Sequence, residues 1–377
     1  MAAPVNPPFR AEHIGSFLRP ASLLAARSDH ESGKIDDAAL RQAEDLAIQQ
    51  VVEMQRSLGL SSITDGEYRR HAYSDSFSVD VFDEVKIGST VDRNWTYSDT
   101  SGRVTEGRVP LVVGRLTWPG PVNVDNFNFI AGLAGNGVPK ITLPGPCYIH
   151  FRSGRDNISP EVYPDLDDFW NDLVVAYEKE IGALYEAGCR YIQLDETSIA
   201  KLGDPKIRKG LARRGDDWED LLGTYTDVIN EIARRTPKDL SLGIHLCRGN
   251  KAGSWQAEAG YDDVAAQLFR KLEIRFYFLE FDSPRAGGFE PLAEVPDDKT
   301  VILGLVSTKA SAVEDGDEIR RRIDEAAKFI DRDRLCISPQ CGFASIDVGN
   351  PITIEQQAAK IGLVVDIARD LWGYEPA

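Results

Sequence analysis

Apolar positions along the chain follow two periods. Over 36–59, Leu40, Ala43, Ala47, Val51, Met54 and Leu58 recur three or four residues apart, behind Asp36 and Asp37, which suit a helix start. Over 165–188, Leu166, Phe169, Leu173, Tyr177, Ile181 and Leu184 repeat the spacing, and Gly188 is a natural stop. Segments 217–235, 315–330 and 353–372 do the same. Each predicts a helix whose apolar stripe must be buried.

Short apolar or β-branched runs separate these helices. They are SSIT (61–64), KITL (140–143), RYIQL (190–194), LSLGIHL (240–246), RFYFLEF (275–281), TVILGLV (300–306) and RLCIS (334–338). A run near EHIGSF (12–17) completes a set of eight. Strands alternating with helices predict a parallel sheet, and eight of them predict a (β/α)8 TIM barrel, with an open doubly wound sheet as the alternative. Residues 80–125 break the alternation. A Ser/Asp/Thr/Gly cluster between two β-rich runs predicts a β-hairpin inserted after the second strand. No linker or repeat divides the chain, so a single barrel spanning 1–377 is expected.

Composition narrows the partners. A net charge of −17 argues against nucleic acid and anionic membrane surfaces. No stretch approaches the ~18 apolar residues of a membrane span, and the N-terminus lacks a secretory pattern. Five cysteines are too few for a disulfide framework. A cytoplasmic protein with reduced thiols is expected.

The predicted strands share a further property. They end in HIGSF, TDGEYRR, LPGPCYIHF, LDET, HLCRGN, EFDSPR, VSTK and SPQCGF. Groups able to bind metal, carboxylate or amine therefore gather at the C-terminal ends of strands, where barrel enzymes place their sites. In IHLCRG, His245 and Cys247 lie two residues apart and face one side of a strand. Glu280 and Cys341 close the sixth and eighth runs at the same mouth. One His, one Glu and two Cys form an N/O/S₂ set suited to Zn²⁺. Two thiolates and a carboxylate leave such a centre with net negative charge, poor for activating water but suited to holding a substrate thiol as thiolate, which implies S-alkyl transfer. Cys147, Cys189 and Cys336 have no such partners and read as structural.

From HIGSFLRP to SPQCGF the chain resembles the catalytic barrel of cobalamin-independent methionine synthase and its shorter single-barrel relatives. Epoxyalkane:coenzyme M transferases share the zinc motif. The resemblance implies His245, Cys247, Glu280 and Cys341 as zinc ligands. It also implies Ile14, Gly15 and Ser16 as homocysteine-binding, and Glu67 and Asp195 as catalytic carboxylates that receive its amino group. Glu196 is left as a supporting or solvated residue. Two positions depart from the family. Val306 stands where the family carries a His on the folate side, and Phe151 stands where a Trp stacks on the pterin. Phe151 is retained as a substrate-binding position. The family's N-terminal barrel has no counterpart in this chain.

The resulting expectation is a zinc-dependent S-methyltransferase acting on homocysteine or a related thiol, with methyltetrahydrofolate as one candidate donor. The alternative is a thiol alkyltransferase using an epoxide or other non-folate donor. A non-catalytic thiol-binding zinc protein is the remote third reading. A homo-oligomer stays open. The loop 248–263 reads either as part of a donor pocket, through Arg248, Asn250 and Trp255, or as a surface loop with a helix start; Arg285 and Lys309 are candidate anion binders.

Overall fold

A computed structural model describes residues 7–78, 81–98 and 104–377. Six parallel strands form the main sheet in the order β10–β9–β8–β7–β6–β5. These are β5 (Ile141–Pro144), β6 (Tyr191–Glu196), β7 (Ser241–Leu246), β8 (Phe276–Glu280), β9 (Thr300–Val306) and β10 (Leu335–Pro339). Just upstream of β5, the short β4 (Val138–Pro139) pairs in parallel with β1 (Ser62–Ile63). Ring closure falls to residues 10–17. Glu12 N donates to Ile337 O (2.9 Å) and Ile337 N to Arg10 O (2.9 Å) on one side, while Phe17 N donates to Gly66 O (3.1 Å) on the other. Eight segments thus enclose a TIM barrel, each beside its neighbour in chain order.

The first predicted strand is the exception. It contributes one parallel bridge, Ala11 to Ile337, and no ladder. Gly15 explains the break: its φ of +145° leaves the extended region, and a Cβ there would lie 2.6 Å from Thr142 Cγ2. The chain must press against β5 at that point.

The predicted helices form where caps and stripes coincide. Asp36 caps α2 (Asp37–Leu58) by accepting from Ala39 N, and Gly59 ends it in the left-handed region. Asp165 caps α5 (Leu166–Glu186) and Asp217 caps α7 (Trp218–Arg235). A reciprocal Thr353–Gln356 capping box opens α10 (Ile354–Trp372). The fifth, expected over 315–330, stops at Ala326. Five helices escaped the periodicity: Ala21–Glu31, Val124–Leu133, Tyr148–Ser153, Pro205–Arg213 and Asp262–Lys271. All have eleven residues or fewer, so few apolar repeats mark them.

The insertion is an antiparallel hairpin of β2 (Val85–Ser98) and β3 (Val104–Val112). Its predicted turn falls largely on 99–103, outside the described residues. No described helix is long and apolar enough to cross a membrane.

One helix carries a pH liability. His150 is buried, its Nδ1 2.9 Å from Tyr225 Oη. Burial, then the charges of Arg214 and Arg155, push its pKa down to about 3. The unfolded chain therefore binds this proton first, near pH 6.5, so the stability His150 contributes as a neutral ring is lost as pH falls below that value. Between pH 7 and pH 5 the loss should reach about 2 kcal/mol. Urea unfolding of the parent and His150→Gln should show the two stabilities converging by that amount; parallel pH profiles would exclude it.

Candidate active site

Parallel register brings the chemistry to one mouth. Asp195 and His245 are paired neighbours on β6 and β7, and Glu280 pairs with Gly304 of β9. Cys247 extends the ladder one residue beyond β7, its N–H donating to Glu196 O (3.0 Å). A side chain at Gly304 would meet Gln340 Cα at 2.7 Å and Leu279 O at 2.9 Å. Glycine there lets the chain past β10, which carries Cys341, close up on the end of β8.

The donor atoms of His245, Cys247, Glu280 and Cys341 lie within 4.8 Å of one another, and all four residues are buried. The two sulfurs are 3.7 Å apart. That is far beyond a disulfide bond. Tetrahedral zinc with ordinary Zn–S bonds would set them about 3.8 Å apart. His245 Nε2 is 3.9 Å from Glu280 Oε1, and neither ring nitrogen has a hydrogen-bond partner despite burial. Two soft sulfurs, an orphaned imidazole and a carboxylate at this spacing fit a zinc-type cation.

The cluster's own electrostatics favour a cation. The hydrogen bond from Cys247, helped by His245, holds the Cys341 thiol well below its usual range. The same hydrogen bond, with burial, pushes Cys247 well up. Burial pulls His245 down, but Cys341, Asp195 and Glu280 outweigh it and its pKa rises. Burial raises Glu280, against the opposing charge of Lys309.

Beside the cluster opens a cleft of about 440 Å³ whose walls include Ile14, Ser16, Glu67 and Asp195. Glu67 follows Gly66 in a tight turn, with a left-handed φ of +62°. Asp65 Oδ1 accepts from Glu67 N (2.8 Å), and Thr142 Oγ1 donates to Glu67 Oε1 (3.0 Å). Glu67 Oε2 is buried without a partner. Gln193 Nε2 donates to both Asp195 Oδ1 (2.7 Å) and Ile14 O (2.6 Å), tying the acidic wall to the Ile-Gly-Ser segment. Lys140 Nζ in turn donates to Gln193 Oε1 (3.2 Å). Burial, then the nearby Glu67, raises Asp195 to about 7. Two buried carboxylates facing one space make it a seat for a cation.

Sequence reasoning missed Tyr73, Thr197, Lys201 and Ser345 in the cleft walls, and Gln193 behind them. Gln193 was findable: it sits two residues before Asp195 on β6 and shares its face. Lys201 belongs to a short helical turn (Ile199–Gly203) with no periodic signature. Burial lowers its pKa to about 8, against the raising effect of Cys247.

Several expected positions lie elsewhere. Phe151 is fully buried, with Lys201 Nζ 5.5 Å above its ring, and is not part of the cleft wall. Val306 is fully buried at the end of β9. Glu196 is buried rather than solvated; it accepts from Ser198 N (2.6 Å) and Cys147 N (3.3 Å). Of the surface-loop reading of 248–263, the helix start holds, at Asp262, while the first part of the loop is buried. Arg248, Asn250 and Ser254 are buried, and Trp255 exchanges backbone hydrogen bonds of 2.7 Å with Ser98 of the hairpin. All five cysteines are free; burial lifts Cys189 and Cys336 to about 12 and Cys147 well up, leaving three inert thiols.

Fold and cleft define a (β/α)8-barrel enzyme with its polar groups and a candidate metal site at the C-terminal mouth. The family profile described as "Cobalamin-independent synthase, Catalytic domain" matches residues 9–369. The chain belongs to this family of methyltransferases. It is 38% identical to the YxjH protein of Bacillus subtilis (strain 168) over 366 residues, covering 97% of this chain and 95% of that one. A crystal structure of a candidate vitamin-B12 independent methionine synthase from Listeria monocytogenes superposes with a TM-score of 0.75 at 34% identity, covering 97% of this chain and 98% of that one. The 5-methyltetrahydropteroyltriglutamate–homocysteine methyltransferase of Proteus mirabilis is 26% identical over 334 residues, 87% of this chain but 39% of that protein.

Proposed function

We propose that this chain is a zinc-dependent S-methyltransferase acting on homocysteine or a closely related thiol in the cytoplasm. The observation that carries the reading is the buried quartet of His245, Cys247, Glu280 and Cys341 opening beside the Glu67–Asp195 wall. A zinc ion held there would keep a substrate thiol deprotonated near neutral pH. The chain's own residues do the rest. Glu67 and Asp195 receive the ammonium group of the amino-acid thiol, and Gln193 fixes the orientation of Asp195. Ser16, which also lines the cleft, and the nearby backbone offer donors to its carboxylate. With both ends held, the sulfur is aimed at the quartet, and attack on a methyl carbon proceeds in line. The S–C bond forms as the donor's bond to that carbon breaks, and the donor leaves with the electron pair.

The donor half of the site supports a second reading. Val306 and Phe151 are both fully buried, so neither supplies a titratable or stacking group to the cleft. An epoxide or another non-folate alkyl donor would need neither. The test is to load the full chain with Co²⁺ in place of zinc and add homocysteine. A new sulfur-to-cobalt charge-transfer band is expected, followed by product with methyltetrahydrofolate, methylcobalamin or a simple epoxide supplied in turn. No stoichiometric metal, or no spectral response to thiol, would overturn the proposal; the productive donor decides between the two readings.

A further inference from the structure

A second, smaller cleft lies against Glu280, walled by residues outside the thiol cleft. Three cations face it: Arg248, Arg285 and Lys309. Arg248 is 3% exposed and stacks over the Tyr261 ring at 4.0 Å. Its Nη1 donates to Glu280 O (2.8 Å), yet its Nε and Nη2 are buried without partners. Ser283 Oγ, on the same wall, is likewise unpartnered. Arg285 lies over the Trp255 ring at 3.9 Å, which holds its guanidinium in place at the rim. Two carboxylates share this wall and both act on the Lys309 ammonium: Glu280 Oε1 accepts from Arg248 N (3.2 Å), and Asp282 Oδ2 accepts from Ser307 Oγ (2.9 Å), so the cations outnumber them by one.

Burying guanidinium donors without acceptors is costly, so a chain that keeps them this way has a use for them. We propose that this cleft is a binding site for one small anionic group, a carboxylate or phosphate, held by Arg248, Arg285, Lys309 and Ser283 beside the metal quartet. The planar fork of Arg248 suits two oxygens of one anion, and Lys309 adds a point charge. In the setting of the proposed thiol alkylation, on which this assignment of a source rests, the group is an acid tail of the alkyl donor, anchored on the far side of Glu280 from the thiol.

Calorimetric titration of the zinc-loaded full chain with inorganic phosphate, and separately with glutarate, tests the site without turnover. Saturable binding at one site is expected. Arg285→Gln and Ser283→Ala should each weaken it by about three- to tenfold, with zinc content and homocysteine affinity unchanged. If the anion is the donor's tail, the donor KM rises in Arg285→Gln and glutarate competes with donor; if it is a free anion, phosphate binds without affecting the donor KM. Absence of saturable binding by either probe, equal binding in parent and variants, or displacement of phosphate by homocysteine would overturn the site. Failure of methyl transfer alone would leave the binding result standing.

Discussion

Cys341→Ala should leave the purified chain without its equivalent of zinc and lower thiol methylation by about 10³-fold or more, the scale lost when a principal electrostatic stabiliser is removed. The expectation follows from how the quartet is built. Cys341 is the thiol that its neighbours already hold well below the usual range, so it is the readiest anionic ligand. Its partner sulfur is only 3.7 Å away, and the ring of His245 has no other hydrogen-bonding partner. Removing one sulfur leaves three donors and an opening for water, which exchanges a thiol-selective centre for a weakly held one. Cys341→His separates loss of metal from loss of chemistry. It keeps four ligands but removes one negative charge, so zinc should remain while methylation still falls. Metal analysis and single-turnover assays read both variants. Full zinc content in Cys341→Ala, or activity within tenfold of the parent, would sink the assignment of the quartet.

Asp195→Asn should raise the KM for homocysteine by about ten- to a hundredfold, the worth of one charge-assisted hydrogen bond in a buried site. Asp195 is 6% exposed and Glu67 2% exposed, so water screens neither. Burial raises both carboxyls; the charge of Glu67 raises Asp195 further, while Arg70 and Arg19 oppose the rise of Glu67. An ammonium group placed between them should relieve both penalties at once, so selectivity for an amino-acid thiol is the expected result. The diagnostic comparison is 4-mercaptobutyrate, which is homocysteine without its amino group. The parent should use it poorly, and Asp195→Asn or Glu67→Gln should narrow the gap between the two thiols. A KM rise of equal size for both substrates would mean that the carboxylates shape the cleft without reading the amine.

Much of this molecule is written in local patterns. Helices with three or more apolar repeats, such as α2 and α5, stand out because burial and propensity agree along their whole length. The four quartet residues were visible because ligand-type side chains fall at strand ends, and parallel strands bring their C-terminal ends to one place. What the pattern could not carry is packing at short range. HIGSF reads as strand, yet the chain bends at Gly15, where it is pressed against Thr142. Phe151 reads as a stacking platform, yet a lysine fifty residues later in the chain lies over its ring. RGNKAGSW reads equally as a pocket wall or a surface loop, yet the Trp255–Ser98 exchange ties it to the hairpin, and Arg248 is buried. In each case a partner distant in sequence decides the outcome.

Ring closure also governs when the site can exist. The Ile-Gly-Ser wall is tied into place by the last strand and the loop beyond it: Ala11 bridges Ile337, and Arg19 Nη1 donates to Ala344 O (3.0 Å) across 325 residues. Cys341 lies in that same late segment. A chain emerging from the ribosome therefore carries a first segment paired on one side only until nearly all of it has been made, and the thiol cleft and the candidate metal quartet become complete together. His245, Cys247 and Glu280 precede Cys341 in synthesis, so the candidate ligand set stays incomplete until the last strand has been made.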